Sequence, residues 1–255
     1  MNFHENSSIY NSATINQPLL RCHIPDLLQE TIVSVRDNHY EELYESELDG
    51  TVTLENALDR GLSLFQSSNQ LLTQLRYVWM ALTLAIVVEP TIKYYQPDSS
   101  IPEKTINQLT DWLLKALAEL SEPGNRLNGN FENITNIISV DADRLSSEKE
   151  ISSFQVLSEA LDVYSNALKT LEPNYSLPAL LEILEDCLEG YAIFPGSDGR
   201  RELFNWWLLD VVPSCWCLRP PTAANSLNQV ANIHNNPAFS RLEKISNLIW
   251  SYIFI

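Results

Sequence analysis

Hydrophobic positions recur every three or four residues along most of this chain, which is the spacing of one face of an α-helix. The longest stripe runs from Leu54 to Ile86, and its second half, residues 77–88, is apolar on all sides. A helix without a polar face belongs at the centre of a bundle. At 12 residues, this charge-free run is shorter than the roughly 20 residues that cross a bilayer. We therefore expect a buried helix segment and no transmembrane span.

Polar caps and prolines separate the helical stripes from one another. Ser100 with Glu103, and Ser147 with Glu150, have the spacing of a capping box, in which two side chains bind free N–H groups of the first turn. Two serines at residues 67–68 are a candidate break in the longest stripe. The sequence predicts helices near residues 26–47, 54–88, 100–122, 147–171, 176–190, 200–211, 222–234 and 238–253.

These elements define an all-α fold. No segment alternates apolar and polar residues as a half-buried strand does, and no repeat of fixed period occurs. We predict a multi-helix bundle of about seven or eight helices, built as a single domain over residues 21–255 with a sub-domain junction near residues 194–199. Residues 1–20 are rich in Asn and Ser and have no period, which predicts a disordered N-terminal tail.

The charge of the chain is strongly acidic and unevenly distributed. Sixteen Lys and Arg against 33 Asp and Glu give a net charge of −17, which argues against nucleic-acid binding by the surface, because phosphates would be repelled. Residues 199–255 differ, with five basic and three acidic residues, and such asymmetry is typical of an interaction surface. The first residues have neither the basic region nor the apolar region of a secretory signal, so we expect a cytoplasmic protein.

The C-terminal quarter, residues 199–255, also contains four of the six tryptophans. Trp206 and Trp207 are adjacent in a predicted helix and should point about 100° apart, so they cannot face one core equally. Together with Trp216 they are candidates for a domain junction, an oligomer interface or a ligand cleft. The alternative is a large core with room for two neighbouring indole rings.

Arg200 and Arg201 begin the helix that carries the adjacent tryptophans. Two cations at the positive end of a helix are unfavourable unless an anion compensates them. That anion is either a phosphate or carboxylate ligand or an acidic side chain of this chain, and the acidic composition favours the internal ion pair. The two arginines therefore join the three tryptophans as candidate ligand- or partner-binding residues.

Four cysteines and four histidines supply few candidate metal ligands. Cys215, Cys217 and His234 are the main candidates, and Cys22 with His23 complete the set. Cys215 and Cys217 have one intervening residue, whereas zinc and redox motifs use two. In a reducing cytoplasm we expect no disulfide, so the cysteines are better explained as small buried hydrophobic residues.

Acidic side chains gather on one side of the predicted helix at residues 176–190. Its leucines take the opposite side, so these carboxylates are expected to form a solvated face rather than an acid–base pair. They are Glu182, Glu185, Asp186 and Glu189.

No familiar catalytic motif occurs in the sequence. It lacks the glycine-rich nucleotide loops, the serine-hydrolase elbow and the paired-histidine metal motifs, and it identifies no cofactor. The favoured interpretation is a non-catalytic interaction or regulatory protein with a protein partner, either a different protein or a second copy. The alternative is a helical bundle that binds an apolar or pigment-like ligand with an anionic group between residues 77–88 and the tryptophans. An enzyme with an unrecognised site is the third interpretation.

Overall fold

Helices account for the regular structure in the computed structural model, which describes residues 23–37, 53–121, 155–193, 200–221 and 237–253. Within these ranges there are eight helices and no strand, so the predicted all-α bundle is confirmed. Outside them lie the predicted tail at 1–20, the junction at 194–199 and the helix at 222–234. The last part of the first predicted helix, residues 38–47, and the first part of the fourth, residues 147–154, lie outside them as well. In chain order the helices are α1 (Asp26–Asp37), α2 (Leu54–Ser63), α3 (Gln70–Tyr95), α4 (Ile101–Ser121), α5 (Gln155–Lys169), α6 (Ser176–Ile193), α7 (Arg200–Trp206, a π-helical turn at Trp207–Val211, and Val212–Trp216) and α8 (Pro237–Ile253).

The longest hydrophobic stripe is divided between α2 and α3, and the two serines at residues 67–68 lie in the break, as predicted. Each of the two helices begins at a polar cap. The Thr53 hydroxyl accepts from the Asn56 N–H at 3.3 Å, and the Asn69 side-chain carbonyl accepts from the Leu72 N–H at 3.1 Å. These bonds satisfy N–H groups that have no partner within the first turn, and so they fix where each helix starts.

Helix α3 is the central element of the bundle and contacts α4, α5, α6, α7 and α8. Its residues 77–88 are all buried except Val87, which is partly buried, so the predicted buried helix segment is confirmed. Two buried hydrogen bonds tie α3 to α5 and the turn after it. The Tyr164 hydroxyl donates to the Ala85 carbonyl at 2.7 Å, and the Gln74 amide donates to the Thr170 carbonyl. The buried apolar side chains form one cluster with members from every helix.

Helix α3 is also long and apolar enough, by length and composition, to cross a membrane. Its most apolar window of 18 residues has a mean hydropathy of 1.7, and 83% of that window is buried inside the fold. One such helix is weak evidence for a membrane span, because the core helix of a soluble protein has the same length and composition.

Two helices extend beyond their predicted ends. Helix α6 continues through Gly190 to Ile193, and α7 continues past Val211 to Trp216. A single helical glycine costs only about 1 kcal/mol, which tertiary packing readily outweighs. In α7 a π-helical turn inserts one extra residue, with the Val212 N–H donating to the Trp207 carbonyl, and the chain stays helical around it.

Candidate functional site

An arginine stacked on a tryptophan joins α3 to the end of α7. The guanidinium carbon of Arg76 lies 3.5 Å from the centroid of the Trp216 ring, and the Arg76 Nε–H donates to the Trp216 carbonyl at 3.1 Å. The edge of the same indole meets the Phe65 ring, with centroids 5.7 Å apart. Trp216 is only partly buried, so this stacked pair lies at the surface of the bundle.

A second arginine–tryptophan pair begins three residues further along the chain, at Arg219. The Arg219 guanidinium carbon is 4.3 Å from the centroid of the Trp250 ring on α8, and the Trp79 indole N–H donates to the Arg219 carbonyl at 2.9 Å. Arg76 and Trp79 are one helical turn apart in α3, so residues 216–219 run alongside that helix. We call Arg76, Trp216, Arg219 and Trp250 the Arg–Trp surface.

The turn that connects the two pairs is fixed by its own backbone bonds. The Arg219 N–H donates to the Ser214 carbonyl at 2.9 Å and the Leu218 N–H to the Cys215 carbonyl at 3.1 Å, which is a Schellman cap at the end of α7. Leu218 has a φ of 51°, in the left-handed region that usually requires glycine. Its side chain is 3% exposed and its carbonyl accepts from the Ser246 hydroxyl at 3.0 Å. The surface is therefore preorganised, at the expense of one strained leucine.

Because Leu218 has a positive φ, glycine should stabilise the fold more than alanine at this position, the opposite of their order within a helix. In a helix, glycine is less stable than alanine by about 1 kcal/mol, but at a positive φ the Cβ atom is unfavourable by a similar amount. We expect L218G to be more stable than L218A by about 1 kcal/mol in urea unfolding, and both to be less stable than the parent, because a buried leucine is lost. Equal stability of the two variants would show that the turn relaxes out of the left-handed region.

The electrostatics of the Arg–Trp surface centre on Arg76. Its side chain is 8% exposed, and among the residues that the structure describes no carboxylate forms an ion pair with it. Burial lowers the pKa of Arg76 to about 10, because a desolvated guanidinium is less stable as a cation. A buried charge without a counter-charge is costly, and the carbonyl of Trp216 and the face of its ring offset only part of that cost.

The structure places the other two predicted tryptophans in the core. Trp206 is 5% exposed and Trp207 is 1% exposed. Helix α7 contacts α1, α3 and α6, so helices on more than one side are available to cover two rings that point about 100° apart. Of the three tryptophans proposed from the sequence, only Trp216 is presented at the surface of this structure.

Arg200 and Arg201 lie at the start of α7, as predicted. Arg200 is partly buried and Arg201 is exposed. Residues 194–199, whose amides were expected to help bind an anion, lie outside the described residues. The choice between a bound anion and an internal acidic side chain at these two arginines stays a prediction.

Among the described residues, the group of three possible metal ligands that lie close together includes neither Cys215 nor Cys217. Cys215 is fully buried, and burial raises the pKa of its thiol well above the ordinary value, although a hydrogen bond with Thr83 acts in the opposite direction. Cys217 is disulfide-bonded, and His234 and Cys22 lie outside the described residues. The expectation of no disulfide is wrong for Cys217, because it was based on an assumed compartment and not on the positions of the sulfur atoms.

A cluster of three carboxylates lies between α5 and α6. One carboxylate oxygen from each of Glu159, Asp162 and Asp186 falls within 4.8 Å of the other two. Burial, then the charges of Asp162 and Glu159, raise the pKa of Asp186 to about 8, while a hydrogen bond from the Asn166 amide at 3.3 Å lowers it. Three carboxylate oxygens are the donors that hard divalent cations such as Ca²⁺ prefer.

This cluster corrects one part of the predicted solvated face. Glu182 and Glu189 are exposed as expected, but Glu185 is partly buried, and so is Asp186, which faces α5. The sequence held a signal for it, since Glu159 and Asp162 are three residues apart on one face of α5, and a short turn folds α6 back against that helix. If α5 and α6 are aligned as an antiparallel pair about their connecting turn, the sequence predicts that Asp162 and Asp186 lie close together.

No protein-family model, curated protein or solved structure matches this chain. What its sites do must therefore be inferred from the chain's own residues.

Proposed function

We propose that this chain is a non-catalytic interaction or regulatory protein that docks another protein on the Arg–Trp surface. The observation that supports this proposal is the pair of stacked contacts, Arg76 on Trp216 and Arg219 on Trp250. Tryptophan and arginine are the residues most enriched at the energetic centres of protein interfaces. Here they come from three separate segments of the chain and meet at one partly exposed place.

The rigidity of the surface also favours a docking role. Hydrogen bonds hold the carbonyls of Trp216, Leu218 and Arg219, and the flat rings lie against guanidinium groups. Side chains that are already ordered lose little conformational entropy when a partner binds. A preformed aromatic surface can therefore convert more of its contact energy into affinity.

The acidic body of the chain contributes selectivity in this proposal. Glu182 and Glu189 are exposed on α6, and Glu55 is exposed at the start of α2. Partial burial, and then the charges of Glu182, Glu55 and Glu189, raise the pKa of Glu185 on the same side of α6. The negative electrostatic field of these carboxylates speeds association with a basic region of a partner. It also repels acidic surfaces that approach the α2 and α6 side of the bundle.

A bundle that binds an apolar ligand with an anionic group is the second candidate function. Arg76, which has no ion pair within the described part of the chain, favours the anionic group of such a ligand. Against the apolar part of this candidate, the Trp207 ring already packs on the 77–88 segment, with its indole nitrogen 3.5 Å from the Met80 sulfur. A visible absorption band or an excess native mass in protein from the natural source would favour this candidate over the first.

The decisive experiment removes one ring of the Arg–Trp surface. A tagged chain is recovered from its natural source, the accompanying proteins are identified by mass spectrometry, and each is purified and tested for direct binding. We expect W216A to weaken binding of the true partner by roughly tenfold or more, as is typical of a central interface residue. Y175A is the matched control, because it removes an exposed aromatic side chain from the turn between α5 and α6.

Two further readings make the result interpretable. Circular dichroism and thermal unfolding show whether W216A keeps the fold, and light scattering shows whether the partner is a second copy of this chain. If folded W216A binds every identified partner as tightly as the parent does, the docking surface is elsewhere.

A further inference from the structure

We propose that Arg76 forms a carboxylate-binding site. In this site, the two Nη atoms of its guanidinium receive one carboxylate group of a separate, bound molecule. The proposal deepens the proposed function, because it names the group that a docked partner would present to the Arg–Trp surface. It depends on the immediate surroundings of Arg76 and can be tested without a partner.

The geometry leaves one edge of the guanidinium available. Arginine has five N–H donors, and the single donor on Nε is used by the Trp216 carbonyl. One face of the group is covered by the Trp216 ring. No other hydrogen bond of this side chain occurs among the described residues, so the four N–H groups on the two Nη atoms remain. Arg76 keeps 8% of its surface exposed.

The remaining edge has the shape of a two-donor fork. A carboxylate can accept two parallel N–H bonds from the two Nη atoms, which is the strongest common pairing of arginine. The stack on Trp216 and the bond from Nε hold the fork in one orientation before any ligand arrives. Fixing the donor in advance reduces the entropy lost on binding.

The charge of the surroundings favours a carboxylate over a phosphate. A carboxylate carries one negative charge, which matches one guanidinium, whereas a phosphate monoester carries nearly two at neutral pH. A chain with a net charge of −17 repels the second charge more strongly. A carboxylate would also relieve the unfavourable state of Arg76, whose cation is buried and has no ion pair among the described residues.

The test measures thermal unfolding of the purified full chain in sodium acetate against sodium chloride at equal ionic strength. We expect 100 mM acetate to raise Tm by roughly 2–4 °C, because a ligand that binds only the folded state stabilises it. In R76Q this rise should fall below about 1 °C, while R36Q, which alters an exposed arginine, should keep it. R76K retains the cation but has no planar fork, so a smaller rise than in the parent is expected even if R76Q folds poorly.

Three probes identify the source and the class of the anion. Acetate represents a free small carboxylate, a capped Ala-Glu-Ala peptide represents a side chain of a partner, and inorganic phosphate represents the competing class. A rise in Tm with the peptide assigns the site to a protein partner, and a rise with acetate alone assigns it to a small free acid. The proposal is overturned if acetate and chloride act alike on the parent, if R76Q keeps the full rise, or if phosphate acts more strongly than both carboxylates.

The two proposals can fail independently. An acetate response that depends on Arg76, combined with unchanged partner binding by W216A, would leave the carboxylate site and remove the docking surface. Loss of partner binding in W216A, without any effect of carboxylates on Tm, would support the docking surface and rule out the carboxylate site.

Discussion

W207A should lower the free energy of unfolding by about 3–5 kcal/mol, the largest loss that we expect from a single substitution in this chain. The Trp207 side chain is 1% exposed, and its indole N–H contacts the Met80 sulfur at 3.5 Å. Its ring also packs against the Phe204 ring, with centroids 5.8 Å apart. Truncation to alanine therefore removes contacts with α3 and within α7 and leaves a cavity next to the central helix. Urea unfolding followed by circular dichroism measures the loss.

The W216A variant tests whether burial of the ring causes the loss of stability that we expect for W207A. The Trp216 ring is only partly buried, so W216A should cost less, roughly 1–2 kcal/mol. If the two alanine variants lose equal stability, the burial of Trp207 does not determine the effect.

Gly61 provides an independent probe of the same packing. A Cβ atom on Gly61 would lie 3.3 Å from the Cη2 atom of Trp207, which is a tight contact with a ring that its neighbours hold in place. In the W207A background that contact is gone, so G61A should stabilise α2 by about 1 kcal/mol, the usual advantage of alanine in a helix. In the parent the gain should be smaller or reversed. An equal effect of G61A in both backgrounds would mean that the two residues are not coupled.

The sequence predicts the helices of this protein well because each signal for them is local. A stripe with a spacing of three or four residues predicts which face is buried, and the two serines at residues 67–68 indicate the break between α2 and α3. The central position of α3 also follows from the sequence alone, because residues 77–88 have no polar face. Helix ends are less well predicted, since packing carries α6 past Gly190 and a π-helical turn carries α7 past Val211.

The functional surfaces are harder to predict because they join residues that are distant in sequence. The Arg76 side chain and the Trp216 carbonyl are separated by 140 residues, and no spacing rule connects them. The adjacency of the two tryptophans in α7 predicts two different environments, and in the structure both rings are buried in a helix that contacts other helices on more than one side. The disulfide at Cys217 likewise depends on tertiary positions that spacing does not reveal.

D186N should make the chain more stable at alkaline pH and should leave its stability nearly unchanged in acid. In the folded chain, burial and the charges of Asp162 and Glu159 raise the pKa of Asp186 from an ordinary value of 3.8 to about 8. Between these two values the folded state holds a proton that the unfolded state has released. The free energy of unfolding of the parent therefore falls as pH rises from about 4 to about 8 and levels off above that range.

The asparagine variant removes this pH dependence because it has no proton to lose. The neutral amide can still accept the hydrogen bond that the Asn166 side chain donates to Asp186. We expect the stability of D186N relative to the parent to increase by about 2 kcal/mol between pH 5.5 and pH 9, less than the full pKa difference implies, because the site is partly exposed to solvent. Urea unfolding of both proteins at four pH values in this range, with EDTA present to remove divalent cations, measures the difference.

E182Q is the matched control, since it removes one negative charge from an exposed position on the same helix. The general repulsion within a chain of net charge −17 would be relieved equally by either substitution. The local cluster is relieved only by D186N, because only that carboxylate shares its space with Glu159 and Asp162. If E182Q reproduces the pH dependence of D186N, the effect comes from net charge, and the three carboxylates do not act as a coupled group.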